Sequence, residues 1–321
     1  MPDASLVSVV MPFHNTPSAF MQDAIDSVLR QTYPDWELFL VDDASVTEAT
    51  TLARAYADKA PDRVHYLEHP GHARRGASDT RQLGIEHARG RYVALLDSDD
   101  VWLPHKLEQQ VALLDAQPEA GMLYGNTLYW HSWTGQPKDS RRDFKFSLGV
   151  PPERLYPPPV LLSLFLGGKA TVPCTCSVLV RRTVLEQTGG FEARFRGNCD
   201  DQAFYAKLCL AAPVFVAGEC WDKYRQHPGS MTAVSSRQGQ TDGDYLIFLE
   251  WLDAYLAQQQ IVDVSLRRAL RRQLWSYGHL RGSGTPASTQ RRWRRVKKWI
   301  LRLEAGLLPE RLRRWIWLRE S

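Results

Sequence analysis

The chain has 321 residues, 44% of them hydrophobic and 24% charged, with a net charge of +4. Those proportions exclude a disordered or fibrous chain and leave room for one large domain or two. No apolar stretch reaches the ~18 residues that a membrane-spanning helix needs, and Met1-Pro2-Asp3-Ala4-Ser5 lacks the basic region that opens a signal peptide. Val7 to Phe13 is an apolar, β-rich run, and residues 17–31 carry Phe20, Ala24, Ile25, Val28 and Leu29 on one helical face. Trp36 to Val41 repeats the apolar run and ends in Asp42-Asp43. A helix over 46–59, a short strand at Val64–Leu67, a helix over 77–89, a strand at Tyr92–Leu96 and a helix over 105–116 follow. Strands that are apolar at every position are buried on both faces, as in a parallel sheet flanked by helices. In such α/β sheets ligands sit beyond the carboxyl ends of the strands, where this chain has His14-Asn15, Asp42-Asp43 and Asp97 to Asp100.

From about Trp130 to Pro159 the pattern breaks: Pro, Arg, Lys and aromatics mix without a period. A loop of that length suits a lid or a binding loop. Order returns at Cys174–Val180, a helix near Arg182–Thr188, the turn Gly189-Gly190-Phe191, a helix at 201–211 and a strand at 213–217; after about Gly239 the pattern is helical. Five cysteines without a Cys-x-x-Cys pair fit reduced thiols in a cytosol better than a disulfide framework or a zinc site.

Four segments bear chemistry. Val9-Val10-Met11-Pro12-Phe13-His14-Asn15 leaves its sheet through Pro12. Leu40-Val41-Asp42-Asp43-Ala44-Ser45 offers a carboxylate that can accept the imide N–H of a uracil, or merely cap the next helix through Asp43 or Ser45. Gly76-Ala77-Ser78-Asp79-Thr80-Arg81 opens a helix with an arginine in its first turns, suited to an anion or simply to solvent. The apolar run to Leu96 ends in Asp97, Asp99 and Asp100. These are either hard oxygen ligands for a divalent cation that grips a diphosphate, or a solvated acidic turn.

Together these segments resemble the nucleotide-sugar half of a family 2 glycosyltransferase. The resemblance resumes at Gly189-Gly190-Phe191, Asp200-Asp201 and Tyr224-Arg225-Gln226-His227-Pro228-Gly229-Ser230-Met231-Thr232, and covers roughly the first 235 residues. It implies a GT-A fold, a Rossmann-like mixed sheet, over residues 1–238, with a helical extension over 239–321. It further implies a donor site of Pro12, His14, Asp43 and Arg81, with Asp43 reading uracil and Arg81 beside it. Asp97, Asp99 and Asp100 fall on an Asp-x-Asp-Asp motif, one member touching ribose. Asp99, Asp100 and His227 would hold Mn²⁺ or Mg²⁺, and Asp201 would act as catalytic base. The sequence departs from the usual pattern at four places: Thr80-Arg81-Gln82 replaces Ala-Arg-Asn, Arg74 replaces Asn, His14 replaces Tyr, and Asp200 replaces Glu. Asp200-Asp201 could simply cap the helix that follows, but the Gly189-Gly190-Phe191 turn ten residues earlier favours the catalytic reading. Trp102 is either core or a sugar-stacking surface.

The activity so implied is metal-dependent, inverting transfer of a sugar from a nucleotide donor, UDP-linked, to a carbohydrate or lipid-linked acceptor, in surface polysaccharide or glycoconjugate synthesis. A nucleotidyltransferase, or a non-catalytic sugar-nucleotide-binding or membrane-docking protein, is the alternative. Residues 285–321 hold eleven Lys/Arg against three Glu, a charge of +8 that leaves −4 for the rest. Trp293, Val296, Ile300 and Leu303 share a helical face there. Such a helix suits an anionic membrane surface or packing on protein. No nucleic-acid-binding motif accompanies the charge, so nucleic acid is not an expected partner. The expected location is cytoplasmic, with a peripheral position at the inner face of the membrane if the tail docks there.

Overall fold

Uninterrupted apolar runs become the central strands, and the amphipathic segments between them cover the sheet. The computed structural model describes residues 6–46, 48–195 and 199–282. In chain order the elements are β1 (Val7–Phe13), α1 (Ser18–Leu29), β2 (Trp36–Asp42), α2 (Glu48–Lys59), β3 (Val64–Glu68), α3 (Ala77–His87), β4 (Tyr92–Leu95), β5 (Val101–Trp102), α4 (Lys106–Ala116), β6 (Met122–Trp130), α5 (Pro137–Ser140), β7 (Arg154–Tyr156), α6 (Val160–Leu166), β8 (Leu179–Arg181), α7 (Arg182–Thr188), α8 (Asp200–Ala211), β9 (Val214–Arg225), α9 (Met231–Gln238), α10 (Thr241–Gln258) and α11 (Val264–Gly282).

One mixed sheet runs β3-β2-β1-β4-β8-β6-β9-β5, with β7 also paired to β9. Strands β1 to β4 are parallel. β8 runs antiparallel to both β4 and β6, while β6 and β9 are parallel. Every residue of β1 and β2 is buried, which fixes their register; Phe13 lies opposite Asp42, and Val10 opposite Leu95. The polar residues that follow β1, β2 and β4 therefore emerge along one sheet edge, where such folds bind ligands. Met21, Ile25 and Val28 of α1 and Leu107 and Leu114 of α4 pack with Val9, Met11, Leu38 and Leu40 in the core. Each buried aliphatic side chain contributes about 1.5–3 kcal/mol. Gly84 lets α3 lie close on β1, because a Cβ there would collide with Val10.

The irregular stretch predicted from Trp130 contains α5 and β7, tied to the sheet by a bridge between Tyr129 and Phe144. β6 and α6 escape the periodicity. In β6, Gly125 and Asn126 interrupt the apolar run, and the register with β9 shifts there. The predicted strand at 213–217 extends to Arg225. The run at Cys174–Val180 is a 3-10 turn at Thr175–Ser177 followed by β8, and all five cysteines are free thiols. Residues through Arg271 form one compact unit, and a second begins at Arg272. The expected division at 238/239 falls between α9 and α10, and α10 buries Leu249 and Leu252 fully within the first unit. The basic segment 285–321 lies outside the described residues. Among the described residues no helix is long and apolar enough to cross a membrane.

Candidate active site

At the carboxyl edge of β1, β2 and β4 lies a cavity of about 450 Å³, within the range of small-ligand sites. Its walls include Pro12, His14, Asp43, Arg81, Asp97, Asp99, Tyr224 and His227. After β4 the chain makes a tight turn, closed by the Asp100 amide donating to the Asp97 carbonyl (3.0 Å). The turn sends Asp97 and Asp99 to the cavity and buries Asp100 on its other side. Asp99 Oδ2 and His227 Nε2 face each other at 2.9 Å. Asp100 Oδ1 instead accepts the Arg225 amide (2.9 Å), and its Oδ2 is buried without a partner. Burial and the neighbouring Asp99 and Asp97 charges hold the Asp100 carboxyl well above the usual range. Of the three metal-ligand candidates, the structure thus brings Asp99 and His227 together and directs Asp100 towards β9.

The other end of the cavity is built from the loops after β1 and β2. The Asp43 carboxylate accepts the amides of Arg75 (2.6 Å) and Gly76 (3.0 Å). Gly76 permits this through its φ of +93°, a conformation that a side chain would strain. Capping of the β2–α2 loop falls to Asp42, which accepts the Ser45 amide (2.7 Å) and the Thr50 hydroxyl (2.6 Å). His14 Nδ1 lies 2.8 Å from the Asp43 carbonyl; a carbonyl only accepts, so Nδ1 carries the proton there. A further group, Asp42, Glu68 and His72, places ligand-type atoms within 4.8 Å of one another. Those atoms are already engaged. Tyr66 donates to both carboxylates, and His72 bridges Glu68 (2.9 Å) and the Ser45 carbonyl (2.9 Å). The group acts as a clasp between loops.

Arg81 is 4% exposed. Its terminal nitrogens donate to Asp97 Oδ1 (2.5 Å) and to Asp200 Oδ2. The guanidinium therefore joins the acidic turn to the start of α8, 119 residues away in sequence. Asp200 and Asp201 occupy the first turn of that helix, behind Cys199 in a left-handed conformation. Burial raises both carboxyls; Arg81 opposes the rise at Asp200. At Asp201 burial and the adjacent Asp200 charge push the pKa up to about 7. A carboxylate poised near neutrality is matched to proton abstraction at ordinary pH.

Arg225 lies within the Tyr224–Thr232 segment of the resemblance, which gives it no role of its own. It is 2% exposed, donates to the Asp99 carbonyl (2.7 Å) and to Asp23 Oδ2 (2.9 Å), and lies against the rings of Phe20, Trp130 and Trp133. It locks the acidic turn to α1 and β9. The only signal in the sequence is its place two residues before His227. Trp102 is core: 2% exposed, its indole N–H donates to the Cys176 carbonyl (2.9 Å).

A mixed sheet with a ligand cavity at the carboxyl ends of β1, β2 and β4, walled by an Asp-x-Asp turn, defines the GT-A class. Residues 8–189 match the Glycosyl transferase family 2 model, and the chain belongs to that family. It is 30% identical over 223 residues to the putative teichuronic acid biosynthesis glycosyltransferase TuaG of Bacillus subtilis, spanning 68% of this chain and 79% of that one. Coverage of other curated relatives varies, from 38% of the putative glycosyltransferase EpsE of Bacillus subtilis to 68% of an uncharacterized glycosyltransferase of Rickettsia prowazekii. Its fold is shared by Staphylococcus aureus TarS 1–349 in complex with UDP, with a TM-score of 0.62, 17% identity and coverage of 89% of this chain and 77% of that one. It is shared too by the Pyrobaculum calidifontis mannosyltransferase PcManGT in complex with GDP-Man and Mn²⁺, with a TM-score of 0.55, 19% identity and coverage of 96% and 82%. The donor set here fits a divalent ion of that kind: carboxylate oxygen from Asp99 and imidazole nitrogen from His227, with Asp97 on the same wall.

Proposed function

We propose that this glycosyltransferase moves a sugar from a UDP-linked donor, with inversion, to a hydroxyl of a carbohydrate or lipid-linked acceptor in surface polysaccharide or glycoconjugate synthesis. The observation that carries it is the Arg81 bridge, which couples Asp200, the neighbour of Asp201 at the start of α8, to Asp97 on the cavity wall. Asp43 and His14 frame the end of the cavity suited to the base, and Pro12 shapes its floor. Arg81 serves as a connector in this reading, since both terminal nitrogens engage carboxylates. Asp97 and Asp99 face the ribose and diphosphate. Asp99 and His227 would hold Mn²⁺ or Mg²⁺, which when bound supplies positive charge against the departing diphosphate. Asp100, through the Arg225 amide, fixes the turn that presents Asp99. Asp201 takes the proton of the acceptor hydroxyl as that oxygen attacks the anomeric carbon from the face opposite the leaving nucleotide. A single displacement converts an α-linked donor into a β-linked product.

TuaG supports the polysaccharide setting by its name, and TarS supports uridine by its bound nucleotide, while PcManGT keeps guanosine as the rival base. Product analysis tests the reading. Free nucleoside diphosphate with a β-linkage by NMR is expected. Pyrophosphate release would point to nucleotidyl transfer, and an α-linkage would overturn inversion. We place the enzyme in the cytoplasm, with residues 285–321 on an anionic membrane surface. Flotation with phosphatidylglycerol liposomes should fall when those residues are deleted, and unchanged flotation would refute docking by the tail.

A further inference from the structure

Glycosyltransfer by this site needs a second subsite, and the segment between β6 and β7 offers one. Tyr129 and Phe144 exchange both backbone hydrogen bonds (2.8 and 3.3 Å), so their side chains share a face. Their rings stack at 4.9 Å, and Phe146 stands edge-on to both at 4.8 and 5.0 Å. Asp143 anchors the segment by accepting the amides of His131 (2.6 Å) and Ser132 (2.9 Å). Phe144 and Phe146 are nevertheless each 40% exposed. Rigid aromatic rings held at the surface and left partly uncovered mark a binding face.

The cluster continues inward. Tyr129 meets Tyr224 edge-on at 5.3 Å, and Tyr224 lines the donor cavity. Tyr129 and Phe146 also border a cleft with Pro173 and Cys174. The rings thus adjoin the donor cavity through Tyr224, which shares its wall with Asp99 and His227.

We infer that Phe144, Phe146 and Tyr129 form a stacking platform for a pyranose ring of the acceptor glycan. The inference rests on the glycosyltransfer reading above. The negative faces of the rings attract the polarised C–H bonds on one face of a sugar, and their fixed placement spares the entropy of ordering them on binding.

The test uses the full chain, methyl pyranosides of glucose, galactose and N-acetylglucosamine, and the same sugars on a short polyprenyl diphosphate. Saturation-transfer NMR should show ring protons of one sugar face receiving saturation from the wild type. The double variant Phe144→Ala/Phe146→Ala should lose that signal and raise acceptor KM by about tenfold or more. Phe144→Tyr/Phe146→Tyr should restore both, which a mere folding defect would not allow. UDP affinity should stay within twofold. An unchanged acceptor KM in the alanine variant, no saturation of any pyranoside, or a loss confined to the lipid-bearing acceptors would overturn the platform. Failure of the wild type to bind any nucleotide would instead sink the donor reading.

Discussion

In residues 7–102 the acids of the site lie at or just beyond the carboxyl ends of strands β2 and β4, which are buried on both faces. In residues 122–232 the side chains around the cavity come from the first turn of α8 and the far end of β9, beside a strand interrupted at Gly125-Asn126. The first region carries its function in short local words: apolar run, then carboxylate. The second carries it in contacts that span most of the chain, such as Arg81 to Asp200 and Arg225 to Asp99. A local word survives as a motif because strand geometry alone aims the side chain. A long-range contact leaves no fixed spacing behind.

The comparison can be broken most forcefully at α8. Asp201→Asn should lower turnover by about 10²–10⁴-fold, the usual contribution of a general base, while donor affinity by calorimetry stays within a few fold. Because Asp201 must be ionised to accept a proton, kcat/KM should rise with pH through about 7. Asp200→Asn removes the like charge that helps raise it, so this ascending limb should move to lower pH. A limb that stays in place would separate Asp201 from the rate.

A smaller effect is expected where the two regions meet at the proposed cation site. Asp99→Ala and His227→Ala should each weaken Mn²⁺-dependent thermal stabilisation by donor at least about tenfold in apparent affinity, since loss of even an outer-shell partner has that effect. Equal stabilisation in variant and wild type would remove the pair from the site. The mildest effect on chemistry is expected from Arg225→Met, which keeps apolar volume against Phe20 and Trp130. It leaves the Asp99 carbonyl without its donor and should reduce stability by about 2 kcal/mol, read as a lower urea midpoint. An unchanged midpoint would show that the turn holds itself.

Asp42 and Asp43 show how far adjacent residues can be separated by reasoning from sequence. Both sit at the end of β2, and from sequence either Asp43 or Ser45 could cap α2. Asp42 ties the loop after β2 through the Ser45 amide and the Thr50 hydroxyl, while Asp43 lines the cavity and holds the Arg75 and Gly76 amides. Asp99 and Asp100 divide in the same way, one to the cavity and one to the Arg225 amide. The resemblance named Asp43 as the acid facing the ligand, and it does line the cavity; that Asp100 turns away from Asp99 was not legible.

The sequence by itself determined the family, the parallel first half and the clustering of acids at its carboxyl edge, since buried strands with polar ends leave a periodic trace. Tertiary structure alone decided that Arg81 bridges Asp97 and Asp200, that Arg225 secures the acidic turn, and that Tyr129, Phe144 and Phe146 stack at the surface. The Arg81 and Arg225 outcomes depend on which distant segments share a low-dielectric interior, where a charge must find a partner, and no local pattern encodes that choice.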